Sequence, residues 1–529
     1  MAESPADFDA LDLEELKRLV VQLLEEDARL RAENSALREE IARLKGLKGR
    51  PPLKPSGMDK KAAGRRKAKA GRNQARRGRG TKRLVIDETR VIEAPHPPGA
   101  RFKGYQDTVV QDLVVRCHVV RYRRERWLTP AGETIVAPLP EGVKGHFGAE
   151  LIRFVLGQYH QGQVTVPRLT AQLKDLGMAI SKRQVVRLLI ADKEPFLGEA
   201  RAVLRAGLET GAWISVDDTG ARHEARNGVC TRIGNDRFAW FATTFSKSRR
   251  NFLELLRAGH GDYVINGAAL DYMARRKLAG PVIALLAEHE TKRFADEGAW
   301  SAHLERLAIS ALRAHPDPLK IATEGALWGS VVDHGFLKDA VILSDDAGQF
   351  NVGRHALCWV HAERLIHKLD AFTDRHRAAL ERIRARLWWL YGDLRAYCRD
   401  PTRAQKSALE RRFDRLFKTT TGFATLDRLL ARIHANKAEL LVALDRPEVP
   451  LNTNGAENDI RCQVTKRKIS GGTRSEAGRD CRDAFLGLMK TCAKQRISFW
   501  DYLGDRLNVP GAPNVPHLPD LVRQPNALA

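Results

Sequence analysis

Residues 212–219 read Ala-Trp-Ile-Ser-Val-Asp217-Asp218-Thr219, and residues 339–346 read Asp-Ala-Val-Ile-Leu-Ser-Asp345-Asp346. Each is a short apolar run that ends in a pair of aspartates. Runs of this length with polar boundaries read as buried strands. An aspartate at the carboxyl end of each of two core strands can stand at one edge of an open α/β sheet, where such sheets bind ligands. Two carboxylates held close there repel unless a cation neutralises them, so a hard divalent ion is the natural occupant. Successive side chains on a strand point to opposite faces, so only one aspartate of each pair is expected to reach that ion. Arg232 to Phe245 reads as a further strand, and a helical pattern begins near His355.

A third acid, Glu457, lies in Pro450-Leu-Asn-Thr-Asn454-Gly-Ala-Glu457-Asn-Asp-Ile-Arg461. With Asn454 as N-cap, Glu457 falls at N3 and could simply close a capping box. Spacing alone favours that cap over metal binding. Arg461, Lys466, Arg467 and Lys468 follow, either as a phosphate-neutralising cluster or as a solvated helix face.

Working towards the N-terminus, residues 146–205 read helical. Pro167 to Leu176 is followed by Gly177, and Ser181 then caps Lys182 to Ile190. That pattern fits a helix-turn-helix with Lys182, Arg183 and Arg187 towards DNA, and equally a plain αα-hairpin. Residues 84–145 alternate apolar and polar side chains between turn signals and are expected to form a small β-rich module. Residues 49–83 carry fourteen Lys or Arg against one acid, Asp59, within Arg50 to Arg83. This segment has too little apolar surface to fold and reads as a disordered linker that binds phosphates through salt-dependent contacts. Residues 8–48 place Leu16, Leu23, Leu30, Leu37 and Leu44 at every seventh position, with Asn34 at an a position. Glu26, Glu33 and Glu40 would face Arg31, Arg38 and Lys45 of a second helix, so a self-associating leucine zipper is expected. A basic-zipper transcription factor is excluded because there the basic helix precedes the zipper.

The whole chain has 529 residues and a net charge of +24, which points to several domains and a polyanionic partner such as DNA. No apolar run reaches the length of a membrane span, and the acidic start is no secretory signal, so a cytoplasmic protein without a membrane partner is expected. The seven cysteines include no C-x-x-C pair, which supports neither a disulfide framework nor a cysteine zinc site.

The set Val216-Asp217-Asp218-Thr219, Ser344-Asp345-Asp346-Ala-Gly348, Cys358-Trp-Val-His361-Ala-Glu-Arg364 and Asn454-Gly-Ala-Glu457-Asn-Asp-Ile-Arg461, followed by Lys466-Arg-Lys468, resembles the insertion-sequence 66 family of bacterial DDE transposases in both motifs and order. The resemblance implies a multidomain α+β protein. Its ribonuclease H-like catalytic domain would span 206–508, with helical insertions at about 259–336 and 361–445, before a flexible tail at 509–529. It implies that Asp217, Asp345 and Glu457 hold two Mg²⁺ ions, with Mn²⁺ able to replace them. It further implies double-stranded DNA partners (terminal inverted repeats and target), strand cleavage and transfer, and accessory proteins of the same element. Two departures stand out. Cys117 is alone where the family has paired cysteines, so no zinc is expected. Asp217 and Asp345 lie 128 positions apart (345 minus 217), longer than is usual in the family. A catalytically silent DNA-binding descendant and a structure-specific nuclease are the competing readings.

Overall fold

The computed structural model describes residues 86–95, 97–140 and 145–524. The zipper positions Leu16, Leu23, Leu30, Asn34, Leu37 and Leu44 and the basic linker lie outside the described residues. Contacts divide the chain after Asp112. The described part of 86–112 contains no helix or strand.

Beyond it, the described residues of the expected β-rich module contain one hairpin, β1 (Arg126–Leu128) and β2 (Thr134–Val136), around the turn at Gly132. The alternating run 112–122 joins no ladder, and Val114 and Val119 are exposed. Alternation makes a strand only where a partner strand and a face to bury are available, and no described residue supplies them.

Residues 149–210 are helical: α1 (Ala149–Leu156), a π-helical turn at Gly157–Gln161, α2 (Val166–Asp175), α3 (Lys182–Ile190) and α4 (Glu194–Thr210). Gly177, at φ +86°, ends α2, while Gly177 N–H donates to Lys174 and Met178 N–H to Leu173. This is the left-handed helix ending that glycine permits at least cost. Ser181 and Gln184 form the reciprocal capping box of α3.

The central sheet has the order β5-β4-β3-β8-β9. Strands β3 (Trp213–His223), β4 (Arg226–Gly234) and β5 (Ala239–Thr244) form an antiparallel meander, so the stretch expected as one strand is two, turned by Asn235, which accepts from the Arg237 and Phe238 N–H groups. A small ladder, β6 (Tyr263–Val264) with β7 (Arg293–Phe294), lies among the helices α5 (Arg249–Leu256), α6 (Gly267–Arg275), α7 (Gly280–Glu288), α8 (Glu297–Arg306) and α9 (Pro318–Asp333). The chain then returns as β8 (Val341–Ser344), parallel to β3, and β9 (Arg354–Leu357), parallel to β8. Every residue of β8 is buried, as expected of a parallel strand covered on both faces.

Helix α10 (Trp359–His367) starts after His355, which belongs to β9. With α11 (Asp374–Tyr397), α12 (Arg403–Phe417), α13 (Ala424–Ala435) and α14 (Lys437–Leu440) it encloses a separate core that includes Leu387, Leu390, Phe413 and Leu430. Helices α15 (Asn454–Ser470) and α16 (Glu476–Lys494) return to the sheet, followed by α17 (Phe499–Arg506) and α18 (Leu518–Arg523).

Two features of this closing segment carry predictions. The expected flexible tail is instead docked as far as residue 524: Val509, Val515, Leu518 and Val522 are buried, α18 packs on α4, and Leu518 N–H donates to the buried Glu199 at 3.1 Å. Leu518→Ala is therefore expected to cost about 2–5 kcal/mol in urea unfolding; a loss below measurement error would mean α18 is not part of the core. Asp483 of α16 accepts from Thr243 N–H (2.6 Å) and Thr243 Oγ1 (3.0 Å) on the edge strand β5. Burial pushes this carboxyl from 3.8 up to about 7. A raised carboxyl contributes stability that is full below its unfolded pKa and lost as pH rises through the folded one. Asp483→Asn should thus gain on wild type, by roughly 2–4 kcal/mol, between pH 4 and 7. Parallel stability–pH curves would refute the assignment.

Candidate active site

Strand β8 pairs with β3 in the register Trp213 to Val341, Ile214 to Ile342 and Ser215 to Leu343. The offset is the 128 positions that separate Asp217 from Asp345, so the two aspartates stand side by side just past the last parallel pair. Asp217 lies within β3, because β3 continues as a hairpin arm with β4. Asp345 follows the last residue of β8 and accepts from Ala347 N–H at 3.1 Å. Burial, with Asp345 and Asp218 close by, raises the Asp217 carboxyl to about 6.

Their sequence neighbours are occupied. Asp218 pairs with Lys247 at 2.8 Å and accepts from Gln349 at 2.9 Å, and Asp346 pairs with Arg432. Among the described residues no basic side chain reaches ion-pair distance of Asp217 or Asp345.

Glu457 arrives through three contacts between distant segments. Cys358 N–H donates to Ser344 O at 2.9 Å, which ties the start of α10 to the end of β8. Thr453 N–H donates to Cys358 Sγ at 3.3 Å, and Trp359 N–H to Leu451 O at 3.0 Å, which ties the approach to α15 to the same point. The capping-box alternative is not what forms. Thr453 precedes the helix without a side-chain cap bond, so Glu457 lies one position past N3. Its carboxylate turns to Arg364, with Nη1–Oε1 at 3.1 Å and Nη2 donating to Oε2 at 3.3 Å, and lies 3.7 Å from His361 Nε2.

Helix α15 is anchored beneath Glu457. Asp459 forms a buried pair with Arg232 at 2.7 Å and also meets Lys494 at 3.0 Å and Lys490 at 3.8 Å. Arg232 is fully buried and stands opposite Asp217 in the β3–β4 ladder. Lys247, Arg232 and Asp459 were not legible as site residues. Only the ladder register and the long-range packing bring them here.

Asp217, Asp345 and Glu457 are carboxylates, the donor set suited to hard divalent ions. Among the described residues the aspartate pair has no basic side chain at ion-pair distance, and Glu457 Oε1 is buried without a well-directed hydrogen bond. These observations fit a metal, although among the described residues no three ligating side chains already converge on one point. His361 lies 3.7 Å from Glu457, and its charge acts on both Asp217 and Asp345.

The basic residues separate into two groups. Lys182, Arg183, Arg187, Arg461 and Lys468 are exposed. Arg467 donates to Gly220 O of β3. Lys466 is a correction: it is 1% exposed, with its ammonium 3.3 Å from the Tyr159 ring centroid, and burial drives it down to about 7. A side chain enclosed in this way meets no DNA phosphate; it fastens α15 to the π-helical turn.

Among the described residues no helix is long and apolar enough to cross a membrane. The family model described as Transposase IS66 family matches residues 335–480, which include Asp345 and Glu457. Uncharacterized protein y4jO of Sinorhizobium fredii (strain NBRC 101917 / NGR234) is 48% identical over 309 residues, which are 58% of this chain and 96% of that protein. With the motif order and the match across the segment that carries two of the three acids, the chain belongs to the IS66 transposase family.

Proposed function

We propose that the chain binds the terminal inverted repeats of its element and cuts and joins DNA strands through Asp217, Asp345 and Glu457. The observation that carries this reading is that the β3–β8 register sets Asp345, just past the end of β8, level with Asp217 of β3, with no basic side chain among the described residues at ion-pair distance of either. The order β5-β4-β3-β8-β9 supports a ribonuclease H-like core. The three carboxylates would hold Mg²⁺, with Mn²⁺ as a substitute. When bound, such ions activate the attacking oxygen and stabilise charge on the leaving one.

The protein's own part is to place and shield these groups. Arg232 and Asp459 fix α15 over β3, Cys358 pins its approach, and Arg364 and His361 aim the Glu457 carboxylate. Lys182, Arg183 and Arg187 on α3, with Arg461 and Lys468 on α15, would neutralise backbone phosphates. The zipper at 8–48 would pair two copies, and the basic linker at 49–83 would add sequence-independent affinity. The protein would work on DNA in the cytoplasm, with the accessory proteins of its element as candidate partners.

The test is strand cleavage by the purified full chain on DNA that carries the element's own ends. Nicking at the ends with Mg²⁺ or Mn²⁺, abolished by chelation, is expected. Tight binding without nicking in either metal would instead identify a silent descendant, and preference for branched DNA over the ends would identify a structure-specific nuclease.

A further inference from the structure

A cleft of about 420 Å³ opens beside Asp345, between α10 and α13. Its floor is apolar, with Leu365, Ile433 and Leu440 among the lining residues. Its rim carries both signs: Asp345 and Asp346 line it, Arg432 is held at the mouth by Asp346, and Lys368 is exposed with no carboxylate within ion-pair distance among the described residues. Asn436 also lines it, and its side-chain amide has no protein hydrogen bond among the described residues.

The volume is that of a site for one small ligand, roughly 300–1,000 Å³, and is too small for a duplex. An apolar floor beside the unpaired Lys368 ammonium matches the two parts of a nucleotide: a base has an apolar face, and its phosphate has the opposite charge to that ammonium. A free amide can meet the hydrogen-bonding edge of an unpaired base.

We propose that this cleft takes one unpaired nucleotide of the DNA strand at the active site, with its base on the Leu365–Ile433–Leu440 floor beside Asn436 and its phosphate against Lys368 and Arg432. The inference rests on the strand-cutting reading, which it deepens by giving the helical segment between Asp345 and Glu457 a substrate-holding role.

The experiment uses the full chain in EDTA, so that no cleavage occurs, and a fluorescein-labelled, 5′-phosphorylated tetrathymidylate read by anisotropy. Wild type is expected to bind it. Lys368→Ala should weaken binding and lower the slope of log affinity against log salt by about 0.7, the value for one single-strand phosphate contact. Leu365→Glu, which puts a negative charge on the floor beside the nucleotide, should weaken binding by about tenfold or more. Both variants should bind a short duplex like wild type, which controls for folding. Failure of wild type to bind the oligonucleotide, or wild-type affinity and salt slope in both variants, overturns the cleft. If the variants respond as expected while no DNA is ever cut with Mg²⁺, the cleft stands and the strand-cutting reading falls.

Discussion

Asp217→Asn, Asp345→Asn and Glu457→Gln are each expected to remove strand cleavage while leaving the binding of DNA ends intact. Metal-assisted charge stabilisation is worth several kcal/mol at the transition state, and each 1.36 kcal/mol is tenfold, so the loss is on the order of a thousandfold. Binding should survive because the exposed basic side chains on α3 and α15 proposed to meet phosphates are untouched, and losing a negative charge does not weaken attraction to DNA. Asp217→Asn carries its own folding control. Burial beside Asp345 raises the Asp217 carboxyl to about 6, so without metal its stabilising contribution fades as pH rises through that value. At pH 7 the asparagine variant should therefore unfold no earlier than wild type in metal-free buffer. It should also lack the upward shift in melting temperature that Mg²⁺ is expected to give the parent. Near-normal cleavage by any one of the three variants would remove that residue from the site.

The second large effect lies under the site. Asp459→Ala leaves Arg232 fully buried without its carboxylate, and strands Lys494 and Lys490 beside it. Breaking a buried pair from one side costs about 3–5 kcal/mol, because an uncompensated charge stays in the core. Arg232→Met with Asp459→Leu removes both charges and should recover much of that loss, since a well-packed apolar pair can replace a buried ion pair. Cleavage should stay depressed in the double variant, because α15 is then no longer oriented by a directional bond. Urea unfolding and a cleavage assay on the same preparations separate the two effects. Full recovery of cleavage in the double variant would show that packing alone positions Glu457.

The apolar runs that lead to Asp217 and Asp345, the capped α3 and the helical segments on either side of β8 were legible because their signals are local, although β3 runs on past Asp217 to His223. An apolar run marks a buried strand, and Ser181 with Gln184 marks a helix start, wherever the rest of the chain goes. The β-rich reading of 112–122 and the flexible tail failed for a shared reason. Alternation and polar composition say what a segment can do, but a partner strand or a groove decides whether it does so. The tail found such a groove on α4, and the 112–122 run found no partner strand.

The linear chain by itself determined the residue types: two aspartates that close apolar runs, a glutamate near a helix start, basic helix faces and a net charge suited to DNA. Only the tertiary structure decided which of them meet. The 128-position register of β3 and β8 sets Asp345 level with Asp217, the Cys358 thiol and the Arg232–Asp459 pair hold α15 against the sheet, and Lys466 is drawn out of solvent onto Tyr159. Pairing, burial and charge compensation act between residues hundreds of positions apart, and no local pattern encodes such distances.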